Sequence, residues 1–343
     1  MLQNQHILVY RLSAMGDVAM TVPVIKAFVE HHPNIKITVA SRGFLKPLFD
    51  NINNVTFFTV DDKNSHKGFF GLYKLYKELK GIGITHVADL HNVLRSKIIG
   101  SFFKLSGIPV IKIDKGRAEK KALTRVNNKV FKQLKTSHQR YADVFEKLGF
   151  PVTISNPTFN KPQLLTEKIL KITKEKTTKW IGIAPFAAFE SKTYPLDLLE
   201  QVIQQLSNKE YQLFLFGGKA DYEVLESFSN KFNSTINVAG KLEGIKNELS
   251  LISNLDVMLS MDSGNAHFSA MLGIKTITIW GGTHPFAGFA PFNQPEDYCL
   301  LPDLEKYPNL PCSIYGNKVS DGYEDVMRSI SPEKITNKII SII

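Results

Sequence analysis

Cysteine is scarce in this chain, which has only Cys299 and Cys312 among 343 residues. Two cysteines cannot build a disulfide framework, and their spacing matches no zinc-binding pattern. No segment approaches the roughly 20 apolar residues of a membrane-spanning helix. The start, MLQNQHILVYRLS, lacks the basic region, apolar core and cleavage site of a signal peptide. These absences disfavour a secreted or membrane-spanning protein, and we expect a cytoplasmic one.

The glycine fingerprint of dinucleotide-binding proteins is also missing. A G-x-G-x-x-G run should follow a first strand and open a helix, but only Gly16 is present after the first apolar run. An NAD-dependent oxidoreductase is therefore disfavoured. The length and the hydrophobic share of 43% predict a packed globular protein with two domains.

Positive charge is concentrated in the front half of the chain. Residues 1–155 hold 24 Lys and Arg against 11 Asp and Glu, whereas residues 156–343 hold 18 against 21. A solvated helix face explains such an excess, and so does a surface that attracts a nucleic acid, an anionic membrane or a phosphorylated acceptor. Because no helix-turn-helix or RNA-binding motif is present, we expect no nucleic-acid partner.

Short β-like runs alternate with helical stretches along the whole chain, which is typical of βαβ units and parallel sheets. The pattern predicts an α/β protein with a first domain over 1–160 and a second over 178–330. A helix over 331–343 is expected to pack back towards the N-terminal domain. Residues 155–178 read as a connector, 17–31 as one helix, and the basic span 116–148 as helical over at least part of its length.

Candidate site residues follow the predicted strands, because ligands bind beyond the carboxyl ends of strands in doubly wound sheets. Asp17 lies at a helix start, after a turn made by Gly16, and is either an N-cap or a general base. Lys192 is either a solvated loop residue or a partner for phosphate. Gly217 and Gly218 allow either a plain turn or a close approach to a ligand.

The segment 262–267, DSGNAH, is the most informative corner. Ser263 and Gly264 would open a helix whose backbone N–H groups suit a diphosphate. Asp262 would repel a phosphate and suits the hydroxyl groups of a sugar instead. The alternative is an N-cap at Asp262 or Ser263 with His267 packed in the core. Together with the glycines that precede Thr283, the constellation favours a ligand site.

Five segments together resemble glycosyltransferase family 9, the ADP-heptose:lipopolysaccharide heptosyltransferases. They are RLSAMGDV…P (11–23), SKTYP (191–195), DSGNAH (262–267), WGGTHP (280–285) and the later PCSIYG…ISPEKI. The resemblance implies a GT-B fold, with two Rossmann-like doubly wound domains facing across a cleft. The N-terminal domain would bind the acceptor and the C-terminal domain the nucleotide-sugar donor. It also implies metal-independent transfer with inversion, and no D-x-D pair is present to hold a metal.

The resemblance also implies roles for several of the candidate residues, and the basic front half supplies candidates for meeting an anionic acceptor. Asp17 matches the catalytic base, and an acid near 221–223, here Glu223, matches a ribose contact. The usual threonine beside the sugar-binding acid is Ser263 here, which keeps the hydroxyl. The expected donor-binding residues are Lys192, Ser191, Gly217, Gly218, Glu223, Asp262, Ser263, Gly264, His267 and Thr283. The expected acceptor-binding residues are Ser13, Gly16, Arg95, Lys97, Lys120 and Lys121.

These features lead to an inverting glycosyltransferase that moves a sugar, heptose by family default, to a lipopolysaccharide-core or related glycan acceptor. We expect no cofactor and no metal, with the nucleotide sugar as co-substrate. The expected partners are the donor, an anionic glycolipid and the inner face of the cytoplasmic membrane, bound peripherally by a monomer. A non-catalytic nucleotide-sugar-binding protein with the same fold is the alternative, although such a protein need keep neither Asp17 nor Lys192.

Overall fold

A computed structural model of the protein describes residues 5–343. The chain forms two compact units. The first contains the described residues up to Lys115 together with Ser137–Thr158, and the second contains Gly116–Thr136 and Phe159–Ile343. Each unit is an α/β domain built on one parallel sheet, as the alternating sequence pattern predicts.

The first unit has a five-stranded sheet in the order β3-β2-β1-β4-β5. All of its strand pairs are parallel. Because the strand order reverses between β1 and β4, the loops after these two strands diverge to opposite faces and open a crevice. The strands are β1 His6–Tyr10, β2 Lys36–Ser41, β3 Val55–Thr59, β4 His86–Asp89 and β5 Val110–Lys112.

Helices cover this sheet, with α2 packing against α6 and α3 against α4. The predicted helix over 17–31 is two helices, and Pro23 lies in the first turn of the second, where a missing N–H costs no intrahelical bond. Leu8, Leu75 and Phe103 are among the fully buried residues of the core. The helices are α1 Met15–Ala19, α2 Thr21–His31, α3 Gly68–Gly81, α4 Leu94–Leu105 and α6 Ser137–Lys147.

The second unit has a six-stranded sheet in the order β11-β10-β9-β6-β7-β8. Its strand pairs are also parallel, and its order reverses between β6 and β9. The short strand β11 has only two residues, and the sequence pattern did not predict it. The strands are β6 Trp180–Ala184, β7 Gln212–Leu215, β8 Thr235–Asn237, β9 Val257–Met261, β10 Lys275–Ile279 and β11 Cys299–Leu300.

The helices of the second unit include one inside the segment predicted to be a connector, α7, which begins at an N-cap formed by the Thr166 side chain. The C-terminal helix α12 packs against α8 of this unit, where Ile335 and Ile339 are fully buried. Packing back towards the N-terminal domain was the expectation for this helix. The helices are α5 Arg117–Thr124, α7 Glu167–Thr173, α8 Leu196–Ser207, α9 Tyr222–Lys231, α10 Ile245–Ile252, α11 Gly264–Met271 and α12 Pro332–Ile342.

The basic segment 116–136 belongs to the second unit, although it lies within the range predicted for the first domain. Leu123 and Leu134 pack with Ala287 in a small buried cluster. The Lys129 ammonium donates to the carbonyl oxygens of Asn309 and Leu310 at 2.6 and 2.8 Å. These contacts hold the segment to the second unit by both apolar burial and a half-buried cation, which a charge count along the sequence cannot reveal.

Among residues 5–343, no helix combines the length and the apolar character needed to cross a membrane.

Candidate active site

The crevice of the first unit lies at the carboxyl ends of β1 and β4, where the strand order reverses. The loop and helix after β1 carry Arg11, Ser13 and Asp17, and the loop after β4 carries His91. Parallel neighbouring strands bring these four side chains to one edge of the sheet. This is the place at which open α/β sheets bind ligands.

The Asp17 carboxylate is held by one of its two oxygens. Oδ2 lies 2.6 Å from Nη2 of Arg11 and accepts a hydrogen bond from the Ala14 backbone N–H at 3.0 Å. Ala14 is the N-cap of α1 and Asp17 is the third residue of that helix, so the predicted N-cap role falls to its neighbour. The side chain is 29% exposed, and Oδ1 makes no hydrogen bond to any described residue. One oxygen is therefore fixed by two donors, and the other is left for a further hydrogen-bond partner.

Two buried groups fix the surroundings of Asp17. The Arg11 guanidinium donates to the carbonyl oxygen of Leu90 at 2.7 Å, which ties the loop after β1 to the loop after β4. The hydroxyl of Tyr141 on α6 donates to the backbone oxygen of Asp17 at 3.3 Å. Sequence reasoning assigned no role to Arg11, although its place at the end of the first strand is the signal that could have done so.

His91 is a second site residue that sequence reasoning missed. Its Nε2 lies 3.4 Å from Oγ of Ser13, and the residue is buried. Burial, with the nearby cations Arg11 and Lys115, lowers the pKa of His91 from 6.5 to about 4. The imidazole is therefore neutral at neutral pH, when it can donate or accept a hydrogen bond beside Asp17 without adding charge.

Because His91 is buried in its neutral form, acidification should destabilise the folded protein. In the unfolded chain His91 binds a proton near pH 6.5, but in the folded protein only near pH 4, so stability present above pH 6.5 is lost as the pH falls towards 4. By pH 4, His91 should have lowered the free energy of unfolding by about 3 kcal/mol. His91→Gln should therefore lose less free energy of unfolding than the parent between pH 7 and 4, measured by urea denaturation. Replacing the exposed His31 by Gln serves as the control, and an equal loss in both variants would contradict the argument.

The other predicted acceptor residues in the first unit differ in their surroundings. Arg95 is paired with Asp62 at 2.7 Å, and Arg42 contacts the same carboxylate at 3.0 Å. Lys97 on α4 is exposed. Gly16 lies inside α1 and not in a tight turn, and its carbonyl oxygen accepts from the Met20 N–H at 2.9 Å. Arg95 is thus already held by an acid, whereas Lys97 projects into solvent.

In the second unit, the reversal between β6 and β9 brings together Lys192 and Asp262. Nζ of Lys192 lies 2.9 Å from Oδ2 of Asp262, and the Thr283 hydroxyl donates to the same oxygen at 2.9 Å. The two charged side chains are only 12% and 9% exposed. An ion pair of this kind requires close partners on both sides, since an isolated charge is costly to bury.

The helix α11 begins beside this ion pair. Ser263 is its N-cap, but the Ser263 hydroxyl is 3.1 Å from Oγ of Ser260 and makes no capping bond. The backbone N–H groups of the first turn, from Gly264 onwards, therefore have no side-chain cap. The helix dipole places partial positive charge at this point, which suits an anion. His267, in the second turn, is buried.

Glycines allow neighbouring loops to close tightly around Lys192. The Ser191 hydroxyl donates to the carbonyl oxygen of Gly316 at 2.6 Å, and its own carbonyl accepts from the Gly282 N–H at 2.9 Å. A Cβ at Gly316, which has φ +85°, would lie 2.3 Å from Cδ of Lys192. A side chain at position 316 would therefore push the lysine stem aside, so the loop around Gly316 helps to direct the ammonium group.

The predicted donor residues after β7 are less constrained. A Cβ at Gly217 would lie 2.8 Å from Leu225 Cδ1, the end of a side chain that would have to shift to admit it. The Gly218 N–H donates to Oδ2 of Asp221 at 2.7 Å. Glu223 lies in the first turn of α9 and is exposed. Of the acids near 221–223, Asp221 is thus engaged in the local turn and Glu223 projects into solvent.

Lys120 and Lys121, both on α5, lie in the second unit and have opposite surroundings. Lys120 is buried, with Nζ 4.0 Å from the ring centroid of Phe289, whereas Lys121 is exposed. A buried lysine beside an aromatic ring gains a cation–π interaction and covers apolar surface with its stem. The exposed Lys121 is the better placed of the two to meet an anionic group.

Comparison with known proteins places these features in a family. The profile described as "Glycosyltransferase family 9 (heptosyltransferase)" matches residues 72–314. The chain belongs to glycosyltransferase family 9. A curated relative, the lipopolysaccharide core heptosyltransferase OpsX of Haemophilus influenzae, is 22% identical over 304 residues, which cover 83% of this chain and 81% of that protein. This family 9 enzyme is therefore a glycosyltransferase, and the non-catalytic alternative is set aside.

Solved structures of glycosyltransferases share its fold. A family 9 glycosyltransferase from Veillonella parvula is 18% identical with a TM-score of 0.76, and the match covers 100% of this chain and 98% of that one. The Escherichia coli heptosyltransferase WaaC, solved with ADP, is 16% identical with a TM-score of 0.68 over 99% and 100% of the two chains. The predicted fold class, GT-B with two Rossmann-like domains, is confirmed.

Within residues 5–343 of the family 9 enzyme, no group of three His, Cys, Asp or Glu side chains is arranged to hold a metal ion. A more distant solved structure, TibC of enterotoxigenic E. coli, is described as an iron-containing dodecameric glycosyltransferase. It is 12% identical with a TM-score of 0.55 over 98% of this chain and 75% of that one.

Proposed function

We propose that this enzyme transfers heptose from ADP-heptose to a lipopolysaccharide-core or related glycan acceptor, with inversion and without a metal. The observation that carries the proposal is the Lys192–Asp262 ion pair beside the uncapped start of α11. It combines a cation and backbone N–H groups suited to a diphosphate with a carboxylate suited to sugar hydroxyls. The family membership and the relatives described above support the choice of heptose and of the lipopolysaccharide core.

The donor is assigned to the second unit. As the bond between sugar and diphosphate breaks, negative charge grows on the leaving diphosphate. Lys192 and the N–H groups from Gly264 onwards would stabilise that charge, which is the role a divalent metal plays in other transferases. Asp262 would turn to the sugar hydroxyls, with Thr283 holding one of its oxygens. Glu223, exposed after β7, remains our candidate for the ribose.

The acceptor is assigned to the first unit, with Asp17 as general base. Oδ1 of Asp17 would accept the proton of the acceptor hydroxyl while the hydroxyl oxygen attacks the anomeric carbon of the donor. Attack from the side opposite the diphosphate inverts the configuration at that carbon. Arg11 and the Ala14 N–H hold Oδ2 and keep the reactive oxygen in place. Ser13 and Lys97 are our candidates in this unit for contacts to the acceptor.

The proposal extends to the setting of the reaction. An acceptor that is both phosphorylated and anchored in lipid is polyanionic and lies at a membrane, which accords with the excess of 24 Lys and Arg over 11 Asp and Glu in residues 1–155. We therefore propose a cytoplasmic monomer that binds peripherally to the inner face of the cytoplasmic membrane.

Purified enzyme should convert ADP-heptose and a heptose-deficient lipopolysaccharide core into ADP and a product heavier by one heptose, detected by mass spectrometry. The anomeric configuration of the new linkage, read by NMR, should be opposite to that of the donor. Because fixed positive charges replace a metal in the proposal, EDTA should leave the rate unchanged.

A panel of GDP-, UDP- and CMP-sugars serves as the control for donor choice. Faster turnover with one of these donors would contradict the assignment of ADP-heptose. A rate that falls in EDTA and returns with an added metal would contradict the metal-independent mechanism while leaving the transferase activity in place.

A further inference from the structure

The helices α3 and α4 of the first unit expose a large apolar surface. Phe70 is 85% exposed and Phe69 is 60% exposed on α3, and Leu105 at the end of α4 is 86% exposed. Tyr73, on the same side of α3 as Phe69, is 44% exposed. Placing such side chains in water forgoes the burial that usually stabilises them. We call this surface, formed by Phe69, Phe70, Tyr73, Phe102 and Leu105, the α3–α4 face.

The aromatic rings of the α3–α4 face support one another. The ring of Phe102 on α4 lies 5.7 Å from that of Phe69 and 5.4 Å from that of Tyr73, edge to face in both cases. Tyr76, one turn further along α3, packs against Phe102 at 5.5 Å and is 2.5 Å from the Ser106 hydroxyl. The exposed rings are thus part of a continuous packed layer and not isolated side chains on a loop.

The charge on the two helices is predominantly positive. The two helices contain a single acid, Glu78, which contacts His66 at 3.1 Å and Lys74 at 3.9 Å. Nζ of Lys77 lies 5.6 Å from the Tyr73 ring centroid, so a cation sits directly beside the exposed aromatics. The basic residues of the two helices are Lys74, Lys77, Lys80, Arg95, Lys97 and Lys104.

We propose that the α3–α4 face docks onto an anionic phospholipid surface. Aromatic and leucine side chains enter the headgroup region of a bilayer, while lysines extend to its negative charges. A second copy of the chain fits less well, because a two-fold contact would place the same lysines against one another. This inference rests on the proposed function only in that it takes the acceptor to be lipid-linked.

The position of the face in the fold fits that role. Helices of a doubly wound sheet begin at the carboxyl ends of the strands and end at the opposite edge, so Phe69 and Phe70, at the start of α3, form the part of the face nearer to the Asp17 edge, whereas Phe102 and Leu105, in the last turn of α4, extend it away from that edge. Lipid bound along this face would hold the first unit, with its acceptor site, against the membrane. Large exposed apolar patches usually mark an interaction site, and membrane docking provides one for this surface.

Flotation of the full-length protein with vesicles tests the proposal. The protein should bind vesicles of phosphatidylcholine mixed with phosphatidylglycerol, bind pure phosphatidylcholine vesicles weakly, and be released by high salt. The double variant Phe70→Ser/Leu105→Ser should reduce the partition coefficient at least about tenfold, because two side chains that enter the bilayer are lost. The pair Lys74→Gln/Lys77→Gln should weaken binding to the anionic vesicles alone.

Matched controls distinguish binding through the α3–α4 face from non-specific adsorption to vesicles. Phe44 and Leu164 are 53% and 94% exposed elsewhere, so Phe44→Ser/Leu164→Ser should bind vesicles as the parent does. Lys171→Gln/Lys174→Gln removes two exposed lysines of the second unit and should behave likewise. Circular dichroism should show the same melting temperature for every variant.

Activity on a water-soluble, deacylated acceptor distinguishes this inference from the proposed function. Phe70→Ser/Leu105→Ser should retain that activity and lose turnover only with acceptor embedded in vesicles. Unchanged vesicle binding in this variant would overturn the docking surface while leaving the transferase intact. A parent protein that dimerises, and a Phe70→Ser/Leu105→Ser variant that does not, would also overturn it by identifying the face as a contact between copies.

Discussion

Asp17→Asn is expected to lower kcat by about 10²- to 10⁴-fold, the usual contribution of a general base. The asparagine carbonyl can still accept from Arg11 and from the Ala14 N–H, as Oδ2 does in the parent. Its amide nitrogen then occupies the place of Oδ1 and cannot take a proton. The variant should therefore fold normally and bind donor with the parent affinity, and initial-rate kinetics with saturating donor and acceptor would measure the loss.

The control for this prediction is Asp50→Asn, which removes an exposed carboxylate of the same unit and should leave kcat unchanged. Turnover of Asp17→Asn within about twofold of the parent, far below the effect of losing a general base, would remove Asp17 from the chemistry. Near-parental turnover of Asp17→Asn together with a lowered melting temperature would show that Asp17 stabilises the fold, through its pairing with Arg11.

Lys192→Met should reduce kcat/KM by about 10²- to 10³-fold, as expected when one fixed group that stabilises leaving-group charge is lost. Methionine keeps the length of the lysine stem under Gly316 but carries no charge. The loss should also appear as weaker binding of ADP, measured by calorimetry, because ADP carries the diphosphate that Lys192 would contact. Lys209→Met, an exposed lysine of the same unit, is the matched control.

The effect of Lys192→Met on stability has to be distinguished from its effect on catalysis. Removing Lys192 leaves the Asp262 carboxylate, 9% exposed, with only Thr283 as a partner within residues 5–343, and breaking a buried pair costs about 3–5 kcal/mol. The double variant Lys192→Met/Asp262→Asn should regain most of this free energy of unfolding, because it buries no unpaired charge. It should nevertheless remain as slow as the single variant. Recovered activity in the double variant would mean that Lys192 acts only by neutralising Asp262.

The sequence predicted the alternation of strands and helices well, because period-two and period-3.6 apolar patterns are local. The prediction was less successful where tertiary packing sets the end of an element. Val126 and Val130 continue the apolar stripe of α5, yet the helix ends at Thr124 and both valines are exposed. Leu134 instead packs beside Leu123 and Ala287. The helical period persists in the sequence beyond the point where there is a core to pack against.

The candidate site shows the same division. Asp17, Lys192 and Asp262 could be singled out because each follows a predicted strand in a distinctive motif. Arg11 and His91 could not be placed, because their partners are Asp17, Leu90 and Ser13. The separation of about 80 residues between the loops after β1 and β4 is bridged only by strand pairing. A pattern read along the chain contains no information on which buried cation faces which carboxylate.

The amino-acid sequence by itself predicted two α/β domains, since apolar periods are local, and its ordered motifs carried the resemblance to family 9 glycosyltransferases. Only the tertiary structure decided that Arg11 holds one oxygen of Asp17, that Asp262 pairs with Lys192, and that the basic segment 116–136 belongs to the second unit. The reason is physical: pairing and burial depend on distances between residues far apart in the chain, and those distances exist only once the sheets have formed.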